Sequence, residues 1–199
     1  MPRLWSGTLE AHRREVRDAV IATTTALVAE HGLRAVTMSR IAEQSGIGRA
    51  TLYKYFPDVE SILEAWHASH VRTHLDVLTE LAGHDSPAVQ RLATVLRTYA
   101  LGIYETSRQH ASTDLVAMIH RSEHVAEAEH ELTHLVARLI ADAAHEGTVR
   151  ADVAPAELAA FCLNALTAAR TAHSKAAVQR LVKLALSSLT GAPSRVAAT

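Results

Sequence analysis

Basic and aromatic side chains are concentrated in the stretch "RATLYKYF", residues 49–56. A guanidinium such as that of Arg49 can donate two hydrogen bonds to O6 and N7 of guanine, a contact worth about 1–3 kcal/mol of discrimination between bases. Thr51 can reach a base or a phosphate, and Tyr53 and Lys54 can contact the phosphate backbone, which sets register without reading sequence. The chemistry that this stretch favours is recognition of double-stranded DNA. Tyr55 and the Phe that follows it could instead be buried, and Tyr55 suits either role.

Two short helices are predicted to position these side chains. Thr37 is a natural N-cap for a helix that Gly46 ends, and a second helix over residues 48–55 must stop before Pro57. Gly46 can adopt the positive φ that a tight turn needs, and the small side chain of Ala42 lets the second helix approach the first. The pattern predicts a helix-turn-helix, with the second helix entering the DNA major groove. Its small core is expected to contain Ile41, Ile47 and Leu52.

The segment "GLRAVTMSRIAEQSGIGRATLYKYFPDVESILEA" resembles the DNA-binding domain of TetR-type transcriptional regulators, with similarity over about residues 10–65. The resemblance implies an all-α dimer, usually a repressor, with a larger C-terminal domain that binds a small molecule. It also implies DNA-contacting positions at Thr37, Arg49, Ala50, Thr51, Tyr53, Lys54 and Tyr55.

Two positions depart from the family pattern. Gly48 stands where a serine often precedes the recognition helix, and Val59 stands where a lysine commonly contacts a phosphate. A missing phosphate contact weakens binding and reduces its salt dependence slightly. Arg13, Arg14 and Arg17 could supply the contact instead, or could simply be solvated charges.

Helical spacing of apolar residues predicts about nine helices and no strands, hence an all-α fold. We expect a DNA-binding domain over residues 1–57, a regulatory and dimerisation domain over 58–191, and a disordered tail over 192–199. The predicted helices cover approximately residues 10–31, 38–46, 48–55, 58–81, 87–107, 115–119, 125–146, a segment from 155, and 176–190.

Composition and charge agree with a globular regulator. Residues 1–56 carry eight Arg and Lys against five Asp and Glu, whereas the whole chain has a net charge of −1. An anionic partner is therefore expected for the N-terminal quarter.

The single cysteine, Cys162, suits a reducing compartment, and no apolar stretch approaches the ~18 residues of a membrane span. A cytoplasmic location without membrane contact is predicted.

The last two predicted helices are rich in small residues, with Phe161 and Leu166 among their larger apolar side chains. Such faces allow close helix packing, either inside one chain or between two. By resemblance, the two helices would pair with their copies in a homodimer that places two recognition helices on a palindromic operator. Cys162 is expected to be a small buried hydrophobe there.

A small organic effector is expected to bind the C-terminal domain, where the family has its ligand cavity. An aromatic and apolar cavity with a few polar groups would suit an uncharged or weakly ionic molecule. The candidate lining residues are Trp66, His70, Leu96, Tyr99, Ile103, Met118, Leu135 and Arg138.

Histidine spacing leaves a metal-responsive regulator as an alternative, although no metal or other cofactor is predicted. Two pairs, His120/His124 and His130/His134, have the i,i+4 spacing that can bind zinc with a third ligand such as Glu127 or Glu131. His67, His70 and His74 share a helix face.

Two further classes of protein are an enzyme and a DNA-binding protein without an effector. Phosphate-binding glycine loops and the GxSxG motif are absent from the sequence, so an enzyme is not expected. A DNA-binding protein without an effector stays open, because the helix-turn-helix alone does not distinguish it.

Overall fold

The computed structural model describes residues 3–109 and 123–190, which form α-helices, two short 3-10 segments and connecting turns, with no strand among these residues. This confirms the predicted all-α class. Within residues 3–109 and 123–190 there are eight α-helices: α1 (Arg3–His31), α2 (Met38–Ser45), α3 (Arg49–Tyr55), α4 (Val59–Ala82), α5 (Ala88–Gln109), α6 (Glu123–His145), α7 (Pro155–Leu166) and α8 (Lys175–Thr190). The 3-10 segments are Leu33–Ala35 and Thr167–Thr171. The helix predicted near residues 115–119 and the predicted tail lie outside the described residues.

The chain forms two compact units that divide within α4, one ending at His70 and the other beginning at Val71. The first unit contains α1–α3 and the start of α4. The second contains the rest of α4 and α5–α8. The domain boundary predicted from sequence lay earlier, between residues 57 and 58.

The first unit has its own apolar core, to which each of its helices contributes. Leu52 is the one fully buried residue of α3, and Phe56 follows directly after that helix with 2% of its surface exposed. Burying a large apolar side chain stabilises a fold by about 1.5–3 kcal/mol. The recognition helix is therefore held from one side, which leaves its other side to solvent. The buried members of this core are Val20, Leu27, Val36, Ile41, Ala42, Leu52, Phe56 and Ile62.

The second unit is built around α5, which packs against α6, α8 and the segment Thr167–Thr171. An ion pair also joins α4 to α6: Nη1 of Arg72 lies 2.8 Å from Oε2 of Glu131, and Nη2 lies 3.4 Å from Oε1. Both side chains are about half exposed, so this pair adds little net stability and mainly fixes the geometry of the two helices.

The helix α5 begins at Ala88, one residue after the start predicted from sequence. The carbonyl of Pro87 accepts the first hydrogen bonds, from the amides of Gln90 and Arg91. The amide of Ala88 donates to both carboxylate oxygens of Glu146, at 3.2 and 3.1 Å. A carboxylate is favourable at a helix N-terminus. Here it comes from a residue 58 positions away in sequence, which local spacing does not reveal.

None of the described helices is long and apolar enough to cross a membrane.

Candidate nucleic-acid interface

The turn between α2 and α3 has the backbone that its sequence predicts. The hydroxyl oxygen of Thr37 accepts a hydrogen bond from the amide of Arg40 at 3.3 Å, which caps α2. Gly46 ends that helix in the left-handed region, with φ 69° and ψ 15°. The amide of Ile47 then donates to the carbonyl of Ala42 at 3.2 Å. Ala42 is buried in the same core as Leu52 of α3, as expected for a small residue that lets the two helices approach.

Six of the seven predicted DNA-contacting residues are exposed to solvent on this helix pair. Tyr53 has 55% of its surface exposed, which is unusual for so large an aromatic residue and is consistent with a contact surface. Tyr55 is half-buried and packs against the core of the first unit, which is the buried role that the sequence allowed. A DNA contact by Tyr55 stays a prediction. The exposed members of the predicted set are Thr37, Arg49, Ala50, Thr51, Tyr53 and Lys54.

The two departures from the family pattern have clear structural roles. Gly48 caps α3 through its carbonyl, which accepts from the amides of Thr51 and Leu52 at 2.9 Å each, and no side-chain hydrogen bond is made. Val59 is half-buried against the core of the first unit and offers no charge. Asp58 caps α4 instead, because its Oδ1 accepts from the amide of Ser61 at 2.7 Å.

Arg17 lies beside the end of the recognition helix. Its Cζ atom is 4.8 Å from the centroid of the Phe56 ring, although Arg17 itself is exposed on α1. The sequence named Arg17 only as one of three α1 cations, and the structure distinguishes it by this contact. No sequence spacing links two residues 39 positions apart on different elements.

Arg40 is another exposed cation of the first unit, and the sequence-based site omitted it. Its Nη1 donates to the carbonyl of Ala35 at 3.3 Å, which ties the first turn of α2 to the preceding 3-10 segment. In the sequence, the signal that could have indicated Arg40 was its position in the first turn of the helix that Thr37 caps.

The geometry described so far defines a helix-turn-helix DNA-binding protein. Residues 20–66 match the family model for bacterial regulatory proteins of the tetR family, and residues 87–190 match the model for the C-terminal domain of SbtR-like transcriptional regulators. The chain belongs to the TetR family of transcriptional regulators, as the resemblance of its N-terminal segment implied.

Individual proteins agree with this assignment. An HTH-type transcriptional regulator of Mycobacterium tuberculosis is 32% identical over 79 residues, which cover 39% of this chain and 40% of that protein. The chain therefore matches well under half the length of this curated relative. A TetR-family regulator from Pectobacterium atrosepticum has the same fold, with a TM-score of 0.73 at 21% identity over 92% of this chain and 98% of that one. FadR from Bacillus subtilis, solved with stearoyl-CoA, has a TM-score of 0.61 at 16% identity over 86% and 98%.

The candidate effector-binding residues fall into four groups. Leu96 and Leu135 are buried in the core of the second unit, and Tyr99 and Ile103 are partly buried against it. Arg138 is exposed on α6. Trp66 and His70 belong to the first unit, where their rings stack with centroids 5.7 Å apart. Met118 lies outside the described residues.

Tyr99 is the polar member among the four candidates that belong to the core of the second unit. Burial is the main cause that raises the pKa of its phenol, and the negative charge of Glu129 raises it further. The positive charge of Arg170 opposes both effects. A neutral phenol can donate or accept a hydrogen bond, which suits a polar group of a ligand.

The histidines do not form a cluster of three or more metal-binding side chains among the described residues, with Cys, Asp and Glu counted as ligands as well. Glu131, the candidate third ligand, accepts a hydrogen bond from Arg72 with its carboxylate. The side chains of the pair His120/His124 lie outside the described part of the chain.

Proposed function

We propose that this protein is a homodimeric repressor that reads a palindromic operator with α3 and is released from it by a small organic effector. The observation that carries the proposal is the one-sided burial of α3. Leu52 and the adjacent Phe56 are buried, while Arg49, Thr51 and Tyr53 are exposed on the same short helix. A helix held in this way is suited to entering a major groove.

Each exposed side chain of α3 has a proposed role. Arg49, in the first turn, donates to the edge of a guanine and provides sequence discrimination. Thr51 reaches a base or a phosphate, and Tyr53 and Lys54 bind phosphates that fix the register. Arg17 supplies the phosphate contact for which Val59 offers no charge.

The dimer is proposed to form through α7 and α8. Phe161 on α7 has 53% of its surface exposed and Leu184 on α8 has 68%, although both helices also contribute to the core of the second unit. Exposed apolar side chains that lie among small residues mark an interaction surface. A two-fold contact between identical faces would pair two such surfaces. The small exposed residues of this surface include Ala160, Ala165 and Ala168.

The effector is proposed to bind within the second unit. Tyr99 and Ile103 line the partly buried side of α5 and combine a polar group with an apolar one. The FadR structure with stearoyl-CoA is a precedent for an organic ligand in a protein of this fold. The effector must bind the DNA-free conformation more tightly, with a coupling of about 1–3 kcal/mol. Because α4 contributes residues to both units, it is the proposed element of transmission.

The DNA-reading role is tested by anisotropy titration of a duplex operator and a scrambled duplex at several salt concentrations. Arg49→Ala should weaken operator binding by about 1–3 kcal/mol while leaving binding to the scrambled duplex nearly unchanged. Arg97→Ala, which removes an equal charge from an exposed site on α5, is the matched control and should change neither. Equal losses on both duplexes for Arg49→Ala would contradict a base-reading role.

The effector role is tested on the same operator complex with a library of small organic molecules. A compound that releases the DNA and raises the melting temperature of the free protein would support repression by ligand release. If no compound does both, the alternative of a DNA-binding protein without an effector gains support. A cytoplasmic location belongs to the proposal, because the operator lies there.

A further inference from the structure

A pair of histidine side chains on α6 converges on a single point. The Nε2 atoms of His130 and His134 are 3.0 Å apart, and their rings meet edge to face with centroids 4.3 Å apart at 82°. Both residues are exposed. The i,i+4 spacing places the two side chains on adjacent turns of one helix face. Nothing in the proposed DNA-binding or effector-binding roles uses this pair.

We propose that His130 and His134 form a two-ligand site for a divalent transition-metal ion, with Cu²⁺ preferred. An ion bound by each nitrogen at about 2.0–2.1 Å would hold the two atoms about 2.9 Å apart at a right angle and about 3.4 Å apart at a tetrahedral angle. The separation of 3.0 Å is closer to the right angle, which is the arrangement of tetragonal Cu²⁺ and Ni²⁺ sites. Cu²⁺ is also the divalent first-row ion that nitrogen ligands bind most tightly.

The same geometry indicates how both nitrogens would become ligands of the ion. At 3.0 Å the two nitrogens share one hydrogen bond, so one ring carries its proton on Nε2 and the other presents a lone pair. When the ion binds, the proton of the donor ring moves to its Nδ1, and both Nε2 lone pairs then face the metal. No net proton is released from the neutral pair.

The neighbouring carboxylate explains why the site has only two protein ligands. Glu131 lies between the histidines in sequence, but Arg72 holds both of its oxygens, at 2.8 and 3.4 Å. Because both rings are exposed, water can fill the remaining coordination positions. The ion would therefore be exchangeable and not a permanent structural component.

The test is a Cu²⁺ titration of the full-length chain without a histidine tag, with glycine as a competing chelator, followed by electron paramagnetic resonance. A background variant His74→Gln/His120→Gln/His124→Gln removes the other two i,i+4 pairs, His70/His74 and His120/His124. In that background one Cu²⁺ should bind with hyperfine coupling to two protein nitrogens. His130→Gln or His134→Gln should lower the affinity by about tenfold or more and remove one coupling. Glutamine preserves the helix and the exposed surface.

His145→Gln is the matched control, because His145 is also exposed on α6 but has no histidine one turn away. It should leave both the affinity and the couplings unchanged. The proposal is overturned if the His130 and His134 variants bind Cu²⁺ as tightly as the background protein, or if the background protein shows no saturable binding. Both outcomes are measured without DNA, so the result does not depend on the proposed repressor function.

Discussion

The guanidinium of Arg17 lies over the ring of Phe56, with Cζ 4.8 Å from the ring centroid. This contact joins α1 to the residue that ends the recognition helix. Phe56 is buried, so its ring is a fixed platform, while Arg17 stays accessible on the surface. Such contacts contribute about 0.5–1 kcal/mol at exposed sites. The larger consequence is that a positive charge is held beside α3, where Val59 provides none.

Arg17→Ala is therefore expected to weaken DNA binding to all sequences alike. The slope of log K against log salt should fall by about one, as for the loss of one phosphate contact, and the preference for the operator should stay unchanged. The measurement is an anisotropy titration over a salt series. Arg108→Ala is a matched control, because Arg108 lies over the ring of Tyr104 at 5.5 Å in the second unit. An unchanged slope for Arg17→Ala would contradict the proposed contact.

Alanine substitutions at two glycines are expected to have opposite effects on stability. Gly46 has φ 69°, and a Cβ atom there would meet nothing within 4 Å, so the cost of Gly46→Ala is backbone strain of about 1–2 kcal/mol. Gly102 lies inside α5, where a Cβ would be 3.7 Å from Cε1 of His74 in ordinary contact. Gly102→Ala should therefore raise stability by about 0.5–1 kcal/mol. Urea denaturation of both variants measures this, and a loss of stability at Gly102 would refute the argument.

Leu184→Glu is expected to dissociate the proposed homodimer. A carboxylate buried in an apolar interface without a partner costs several kcal/mol, whereas on a free surface it costs little. Analytical ultracentrifugation should show a dimer for the wild type and a monomer for the variant, with unchanged helical circular dichroism. Val77→Glu is the matched control, since Val77 is an exposed apolar residue of α4. A dimer that persists in Leu184→Glu would place the interface elsewhere.

Cys162 is expected to be unreactive in the folded protein. Burial raises the pKa of its thiol from 9.0 to about 11, which lowers the thiolate fraction at pH 8 by about 100-fold. Ellman's reagent should therefore react far more slowly with the native chain than with the chain in denaturant. Because the unfolded thiol ionises first, the contribution of this group to stability is complete below pH 9 and is lost as pH rises towards 11. Similar rates in both states would contradict the burial.

Local signals in the sequence were sufficient to predict the helix-turn-helix. Thr37 caps the start of α2 and Gly46 ends it, and both effects depend only on residues nearby in sequence. The burial of Leu52 follows from helical spacing in the same way. The predicted start of α1 near Glu10 was less accurate, because the helix begins at Arg3. No capping residue was available to mark that end.

Contacts between distant residues could not be predicted in the same way. The pairing of Arg17 with Phe56 and the Glu146 cap on α5 depend on how helices approach each other, which spacing along the chain does not encode. The histidine pair on α6 was visible as an i,i+4 pattern. The convergence of its Nε2 atoms and the engagement of Glu131 by Arg72 required side-chain positions.

The central claim is that α3 reads a palindromic DNA sequence, and selection of bound duplexes from a random pool tests it most directly. The purified wild type, at near-physiological salt, should enrich an inverted repeat whose half-sites lie about one DNA turn or a multiple of it apart. The enrichment should disappear with Arg49→Ala and persist with Arg97→Ala. Binding that enriches no sequence, and that weakens equally for every duplex as salt rises, would contradict the claim.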